Sequence, residues 1–243
     1  MHPAAEPGAV AGPAGARPAE AWGLELFGAG VVVEVDDPCR PASGLFAEEA
    51  ASVRRAVDLR RREFAAGRRA SRRALRLLGF APRPIVARAD RLPQWPPGCV
   101  GSITHTDRWC AAAVAPSRSH RSLGLDAEPA RGLDAALWSA VLTGEEGQML
   151  RGRPPVWARL LFSAKEAAYK CQYPLTGRML GFHDLEVRLP PTAGGGDLEA
   201  GPQTGPFEAR FRVDAGPFGA GRSLPGRFMI AGGLILTAVA LRR

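Results

Sequence analysis

Ser122-Leu123-Gly124-Leu125-Asp126-Ala127-Glu128 is the stretch that decides the architecture. It reads as a short strand whose alternation puts Asp126 and Glu128 on one face. Just before it, Val100–Thr104 and Cys110–Ala115 read as two extended segments. Gly30–Asp36 reads as another, bulky with Val31, Val32, Val33 and Val35. Between them a helical stretch runs from about Leu45 to Leu78, with Ser43 as its candidate cap and Gly79 at its end. Phe46, Ala50, Val53, Val57, Phe64, Ala74, Leu75 and Leu78 give it an apolar stripe. Its other face carries Arg60, Arg61, Arg62, Arg68, Arg69, Arg72, Arg73 and Arg76. The Pro-rich run Pro82–Pro97 reads as a surface loop, with a short extended piece at Ile85–Ala87. Downstream come helices at Leu133–Leu142 and Pro155–Gln172, a strand at Leu185–Leu189 and a Gly-rich loop over Pro190–Pro206. An alternating strand at Phe207–Val213 and two closing strands within Arg227–Ala240 complete the chain. Each half offers strands plus one main helix. This predicts an α/β (α+β) fold of two similar modules, 23–118 and 119–243, joined near Pro116–Arg121 and preceded by a disordered tail over 1–22.

With 243 residues, 46% hydrophobic and 23% charged, the chain can bury a sizeable core. No run reaches the roughly 18 to 20 apolar residues that a membrane helix requires. The segment His2–Glu20 has no basic start followed by an apolar core, so it does not read as a signal peptide. Cys39, Cys99, Cys110 and Cys171 are scattered without metal-ligand spacing, which suits free thiols in a reducing cytoplasm. The net charge of +8 favours a polyanionic partner: nucleic acid, anionic lipid, a phosphorylated cofactor or an acidic protein.

Of the 32 basic residues only two are lysines, Lys165 and Lys170, five apart in Phe162-Ser163-Ala164-Lys165-Glu166-Ala167-Ala168-Tyr169-Lys170. A compact, titratable ammonium differs in use from a planar guanidinium. Glu166 and Lys170 stand four apart and share a helix face. The pattern of Leu160, Leu161, Ala164, Ala167 and Ala168 predicts that much of this helix is buried, where charges require partners. Asp126 and Glu128, adjacent on one strand face, raise each other's proton affinity unless a cation joins them. Such oxygen donors suit Mg²⁺ with substrate phosphates. A third element, Gly101-Ser102-Ile103-Thr104-His105-Thr106, is a turn rich in hydroxyls that can grip phosphate oxygens. A Ser102–His105 hydrolase lacks a nucleophile-elbow sequence and is set aside.

In order and spacing, Val100-Gly-Ser-Ile-Thr-His105, Leu123-Gly-Leu-Asp-Ala-Glu128 and Leu161-Phe-Ser-Ala-Lys-Glu-Ala-Ala-Tyr-Lys170 resemble the three motifs of the 4′-phosphopantetheinyl transferase superfamily. The resemblance is closest to its bacterial enterobactin-synthase-activating (type II) branch. Trp95-Pro-Pro-Gly98, Pro174-Leu-Thr-Gly-Arg178, Leu180-Gly-Phe182 and Arg62-Glu-Phe64 with Gly67-Arg68 extend it over roughly Leu24–Leu241. The resemblance implies two α/β modules related by a pseudo-twofold, with coenzyme A in the cleft between them. It implies Mg-dependent transfer of phosphopantetheine from coenzyme A to a serine of an apo acyl or peptidyl carrier protein, releasing 3′,5′-ADP. The carriers would belong to polyketide, peptidyl or fatty-acid synthases.

Carried over residue by residue, the resemblance makes Asp126, Glu128 and Glu166 the Mg²⁺ ligands. Glu166 also becomes the base for the incoming serine, and Lys170 the stabiliser of the departing phosphate. Ser102 and His105 match coenzyme A phosphate contacts, Arg60 and Arg68 match helix residues near the 3′-phosphate, and Lys165 is assigned to phosphate contact. A basic residue usual upstream of the first motif aligns with Ala87, so Arg88 or Arg91 is expected to replace it. The chain is expected to act as a cytoplasmic monomer, without nucleic acid or membrane. A nucleic-acid module using the arginine helix accounts for the charge but not for the lysines or the acidic strand. An inactive relative that only binds carrier proteins is the second rival.

Overall fold

The computed structural model describes residues 18–190 and 202–243. Its class is the expected mixed α/β, with two sheets and their helices. The first sheet contains β1 (Val32–Asp36), β2 (Cys99–His105) and β3 (Cys110–Pro116) in the order β1-β3-β2. The second contains β4 (His120–Pro129), β5 (Leu185–Arg188), β6 (Gln203–Phe211), β7 (Ser223–Ala231) and β8 (Leu234–Arg242) in the order β4-β8-β7-β6-β5. Every pairing is antiparallel. Six helices lie among the described residues: α1 (Pro18–Phe27), α2 (Ala47–Ser52), α3 (Asp58–Leu77), α4 (Trp138–Val141), α5 (Gly144–Met149) and α6 (Val156–Thr176).

The two long helices pack on the sheets through small residues. The α3 helix lies on the first sheet, burying Ala66, Ala70, Ala74 and Leu75 over a β3 strand that is buried throughout. On the second sheet α6 buries Leu160, Leu161, Ala164, Ala167, Ala168 and Cys171. Close approach is possible because Gly124 has no side chain. A Cβ there would overlap the Ala167 carbonyl oxygen.

The two sheets meet where β2 and β4 lie side by side. In place of a main-chain ladder, the Leu125 N–H donates to Ser102 Oγ at 3.0 Å and the Ala127 N–H to Thr104 Oγ1 at 3.1 Å. Both partners advance by two residues, so the strands run the same way. The alternation in Ser102-Ile-Thr104 thus satisfies the outer edge of β4, whose other edge pairs with β8.

One buried carboxylate ties a short helix to the long helix on each sheet. Glu49 of α2 is fully buried; it accepts from its own helix start (Phe46 N–H, 2.9 Å), from Arg72 of α3 (2.7 and 2.8 Å) and from the Ile85 N–H at 2.8 Å. Glu146 of α5 accepts from the Thr143 N–H at 2.7 Å, from Lys165 of α6 at 2.7 Å and from the Val187 N–H at 2.6 Å.

Several expectations are corrected. The single helix over Leu45–Leu78 is two, α2 and α3, with Phe46 rather than Ser43 flanking the start. The chain must fold back so that Glu49 meets Arg72, and Arg61 caps the break by donating to the Val53 and Arg54 carbonyls at 3.3 and 2.6 Å. Val57, counted in the apolar stripe, is exposed. The tail expected over 1–22 gives way to helix from Pro18, because Leu26 and Phe27 are buried against the sheets and Trp22 packs on Trp109 at 5.9 Å. Residues 1–17 lie outside the described residues. So does most of the loop expected over 190–206, though β6 already begins at Gln203. The helix expected over Leu133–Leu142 is a 3₁₀ turn at Ala135–Leu137 followed by the short α4.

Candidate functional site

A cleft of about 1280 Å³ opens along the seam. Its walls come from α3, the 87–95 loop, β2, the start of β4 and the last turns of α6. Arg60, Arg68, Arg88, Ser102, His105 and Lys170, all expected at the site, line it. Its basic lining matches the chain's surplus of positive charge.

On the α6 side, Lys170 Nζ donates to Asp126 Oδ1 at 2.7 Å and to the Leu125 carbonyl at 3.3 Å. Asp126 Oδ2 accepts from Ser163 Oγ at 2.8 Å, and Thr104 Oγ1 donates to Oδ1 at 3.3 Å. Glu128 Oε2 is held by Arg159 Nη1 at 2.9 Å. Burial raises the proton affinity of Glu128, and the charge on Asp126 adds to it, while Arg159 opposes both. Glu166 differs from the other two. It has no hydrogen bond or ion pair among the described residues. Burial pushes its carboxyl above the ordinary range, with Asp126 next and Glu128 adding, against the pull of Lys170. A half-buried carboxylate with raised proton affinity and no partner is suited to accept a proton.

The three acidic side chains therefore feel one another electrostatically. Among the described residues, however, no three acidic, histidine or cysteine side chains stand grouped as metal ligands. Arg159 holds Glu128 and Lys170 holds Asp126.

On the α3 side, Arg60 Nη1 stands 3.1 Å from His105 Nε2 and 3.2 Å from Glu63 Oε2. Burial lowers the His105 proton affinity, and Glu63 partly restores it. Arg68 is buried, with Nε donating to the Ile85 carbonyl at 2.6 Å and its guanidinium 4.0 Å over the Phe64 ring. Desolvation lowers it to a pKa of about 10, so it stays charged at neutral pH. Arg88 pairs with Asp90 at 3.3 Å in a tight turn closed by the Ala87–Pro93 bridge. That turn also puts Ala87 and Arg91 on the cleft wall.

Lys165 is the correction. It is fully buried and donates to Glu146 Oε2, the Val141 carbonyl and the Phe182 carbonyl at 2.7, 2.7 and 2.8 Å, so it has no donor left for a phosphate. Five residues at about 100° each set it roughly 140° from Lys170 around the helix. The two lysines cannot share a face. Ser102 is also buried, and its hydroxyl accepts across the seam as well as edging the cleft.

Sequence reasoning missed Ser163 and Arg159, which hold Asp126 and Glu128, and Glu63, which faces His105. The first two carried a signal. Arg159, Ser163, Glu166 and Lys170 are spaced four, three and four apart, a polar stripe along one side of a largely apolar helix.

Comparison with known proteins agrees with the geometry. A family model described as the 4′-phosphopantetheinyl transferase N-terminal domain matches residues 48–115, and one described as the 4′-phosphopantetheinyl transferase superfamily matches residues 122–214. The chain is 42% identical over 214 residues to the 4′-phosphopantetheinyl transferase Svp of Streptomyces mobaraensis, covering 85% of this chain and 82% of that one. It is 38% identical over 199 residues to the 4′-phosphopantetheinyl transferase PptT of Mycobacterium tuberculosis, covering 80% and 85%. Enterobactin synthase component D of Salmonella typhi is 34% identical over 123 residues, about half of each chain, which supports the branch assignment in part. With similarity of this degree across most of both chains, the protein is a transferase and belongs to the 4′-phosphopantetheinyl transferase superfamily.

Proposed function

We propose that the protein moves the phosphopantetheine arm of coenzyme A onto a serine hydroxyl of an apo acyl or peptidyl carrier protein. The observation that carries this is Glu166: a carboxylate without a partner, raised in proton affinity, one helical turn from Lys170, which pairs with Asp126 and lines the basic cleft. The serine oxygen forms a bond to the β-phosphorus of the pyrophosphate as the bridging P–O bond breaks. The electron pair leaves on 3′,5′-ADP, the serine proton passes to Glu166 directly or through a water, and Lys170 stabilises the departing phosphate. Arg68 and Arg60 receive the 3′-phosphate, and His105, Ser102 and Arg88 the remaining phosphate oxygens.

The donor chemistry of Asp126, Glu128 and Glu166 fits Mg²⁺, which these three would hold once Lys170 and Arg159 share them with it. When bound, Mg²⁺ supplies charge neutralisation on the pyrophosphate. The two modules, 23–118 and 119–243, are read as related by a pseudo-twofold; the matching Glu49 and Glu146 pins support this. The protein is assigned to the cytoplasm as a monomer, and its positive surface steers acidic carriers. No helix of the described residues is long and apolar enough to cross a membrane.

The test is to incubate the protein with coenzyme A, Mg²⁺ and a panel of apo carriers from polyketide, peptide and fatty-acid synthesis. Mass spectrometry should find a phosphopantetheine adduct on serine, and no adduct on any carrier would defeat the reading. Glu166→Gln and Lys170→Ala should each lower turnover by about 10² to 10⁴, the usual range for a positioned acid or base. Near-normal rates in both would mean the roles are misassigned.

A further inference from the structure

Arg68 is a buried cation with an unusual environment. No carboxylate stands within ion-pair distance of its guanidinium among the described residues, although it lines the cleft and is only 5% exposed. Such a charge is costly unless something orients it and something anionic meets it. Phe64 supports one face at 4.0 Å, and the Ile85 carbonyl takes the Nε–H at 2.6 Å. A single short hydrogen bond from Nε fixes the plane of a guanidinium and leaves the Nη edge free to donate.

Ile85 lies in a stretch without regular secondary structure, on a run flanked by prolines. It is nonetheless fully buried. Its own N–H donates to Glu49 Oε1 at 2.8 Å. Glu49 is in turn held by both contacts to Arg72 and by the start of α2. One residue, Ile85, therefore links the Glu49 carboxylate on its donor side to the Arg68 guanidinium on its acceptor side.

We propose that Glu49 is a positioning residue for Arg68: by fixing Ile85 it aims the Arg68 Nη edge into the cleft, where it receives a phosphate monoester. The proposal rests on the reading above that Arg68 meets the 3′-phosphate of coenzyme A. Glu49 itself lies behind the cleft wall and touches no ligand; its effect is on affinity for one phosphate, not on chemistry at the pyrophosphate.

The experiment measures binding of coenzyme A and of 3′-dephospho-coenzyme A to the full chain by calorimetry. Two variants are compared with wild type, each removing the buried ion pair as a unit so that no lone charge is left. Glu49→Leu with Arg72→Met deletes the acceptor for the Ile85 N–H, whereas Glu49→Gln with Arg72→Met retains a carbonyl oxygen there. Wild type should prefer coenzyme A by about tenfold or more, consistent with one charged hydrogen-bonded contact. The leucine variant should lose most of that preference with its affinity for the dephospho ligand unchanged, and the glutamine variant should keep it.

A leucine variant that weakens both ligands equally, or that preserves the full preference, overturns the proposal. A wild-type protein that binds both ligands equally defeats the Arg68 reading instead. Should the leucine variant fail to fold, Glu49→Ser with Arg72→Met, whose side chain is too short to reach the Ile85 N–H, takes its place and is read by the ¹⁵N Nε–H resonance of Arg68, assigned by its loss in Arg68→Lys. A shift in the serine variant that is absent from the glutamine variant supports the link; a resonance unmoved in the serine variant overturns it.

Discussion

The two sheets, each with its long helix, solve one structural problem with the same acid and different bases. In each, a glutamate three residues into a short helix accepts its own helix-start N–H, a cation from the long helix and an N–H from the chain beyond that helix. In the first the cation is Arg72, which places both contacts on the Glu49 carboxylate and also reaches the Gly44 carbonyl. In the second it is Lys165, whose three N–H donors go to one carboxylate oxygen and two backbone carbonyls. The guanidinium divides its two terminal nitrogens between the carboxylate and the Gly44 carbonyl, spread apart in one plane, while a point-like ammonium serves three acceptors converging from different elements. The second therefore keeps a lysine in an arginine-rich chain for its shape. That lysine's proximity in sequence to Lys170 says nothing about the cleft.

The largest effects follow from breaking either pin. Arg72→Met or Lys165→Met leaves a buried glutamate without its cation, which should cost about 3–5 kcal/mol of stability by urea denaturation. Lys165→Arg sharpens the comparison: the fork cannot serve three convergent acceptors, so it should recover less than half of that loss. Full recovery would mean that charge alone, and not donor geometry, selects lysine here.

A second comparison sets the two glycines at the helix–sheet contacts against each other. A Cβ at Gly67 of α3 would stand 2.9 Å from the Ile103 Cγ2 methyl, a side-chain atom of a stiff β-branched residue that must shift slightly. At Gly124 of β4 the obstacle is the Ala167 carbonyl, main chain in the middle of α6. Gly124→Ala should therefore cost about 2–3 kcal/mol, as overpacking against a rigid element does. Gly67→Ala should fall within about 1 kcal/mol, because alanine's better helix propensity offsets the shift of Ile103. Thermal denaturation of the pair reads both, and equal losses would show that α3 and α6 are seated equally tightly. Since α6 carries Glu166 and Lys170, Gly124→Ala should also slow turnover.

These comparisons explain how far the sequence was legible. Strand alternation placed Asp126 and Glu128 on one side of β4, and the four-residue step placed Glu166 with Lys170. Both are local geometry, fixed by period alone. The Arg159–Ser163–Glu166–Lys170 stripe was equally local and was passed over, because its serine and arginine look like ordinary polar surface until β4 is known to lie opposite. The break between α2 and α3 was not legible, since the apolar spacing runs on through Val57. What folds the chain back is the attraction between Glu49 and Arg72, 23 residues apart. The role of Lys165 is hidden for the same reason: its partner Glu146 and the carbonyls of Val141 and Phe182 come from three separate elements. The hydroxyls of Ser102 and Thr104 advertise hydrogen bonding but not its direction; both accept from β4, and of the two Ser102 also lines the cleft.

The smallest expected effect contrasts two glutamates near the same helix. Glu146 is fully partnered, whereas Glu166 is not, and its carboxyl is raised by burial and by Asp126 above the ordinary value of 4.5. A carboxyl with a raised pKa in the folded state binds its proton more tightly folded than unfolded. Its ionisation is therefore destabilising: as pH rises from about 4.5 through the folded-state pKa, stability is lost. Glu166→Gln cannot ionise, so its melting temperature should match wild type at pH 4 and exceed it by a margin that opens above that and then levels off. Adding Mg²⁺ at neutral pH should close the margin from the wild-type side, since an ion bound only by the folded protein stabilises it and the glutamine variant has lost a ligand. A margin independent of pH would mean that Glu166 is solvated like a surface carboxylate. A margin that opens with pH but ignores Mg²⁺ would leave its proton affinity intact and remove it from the metal.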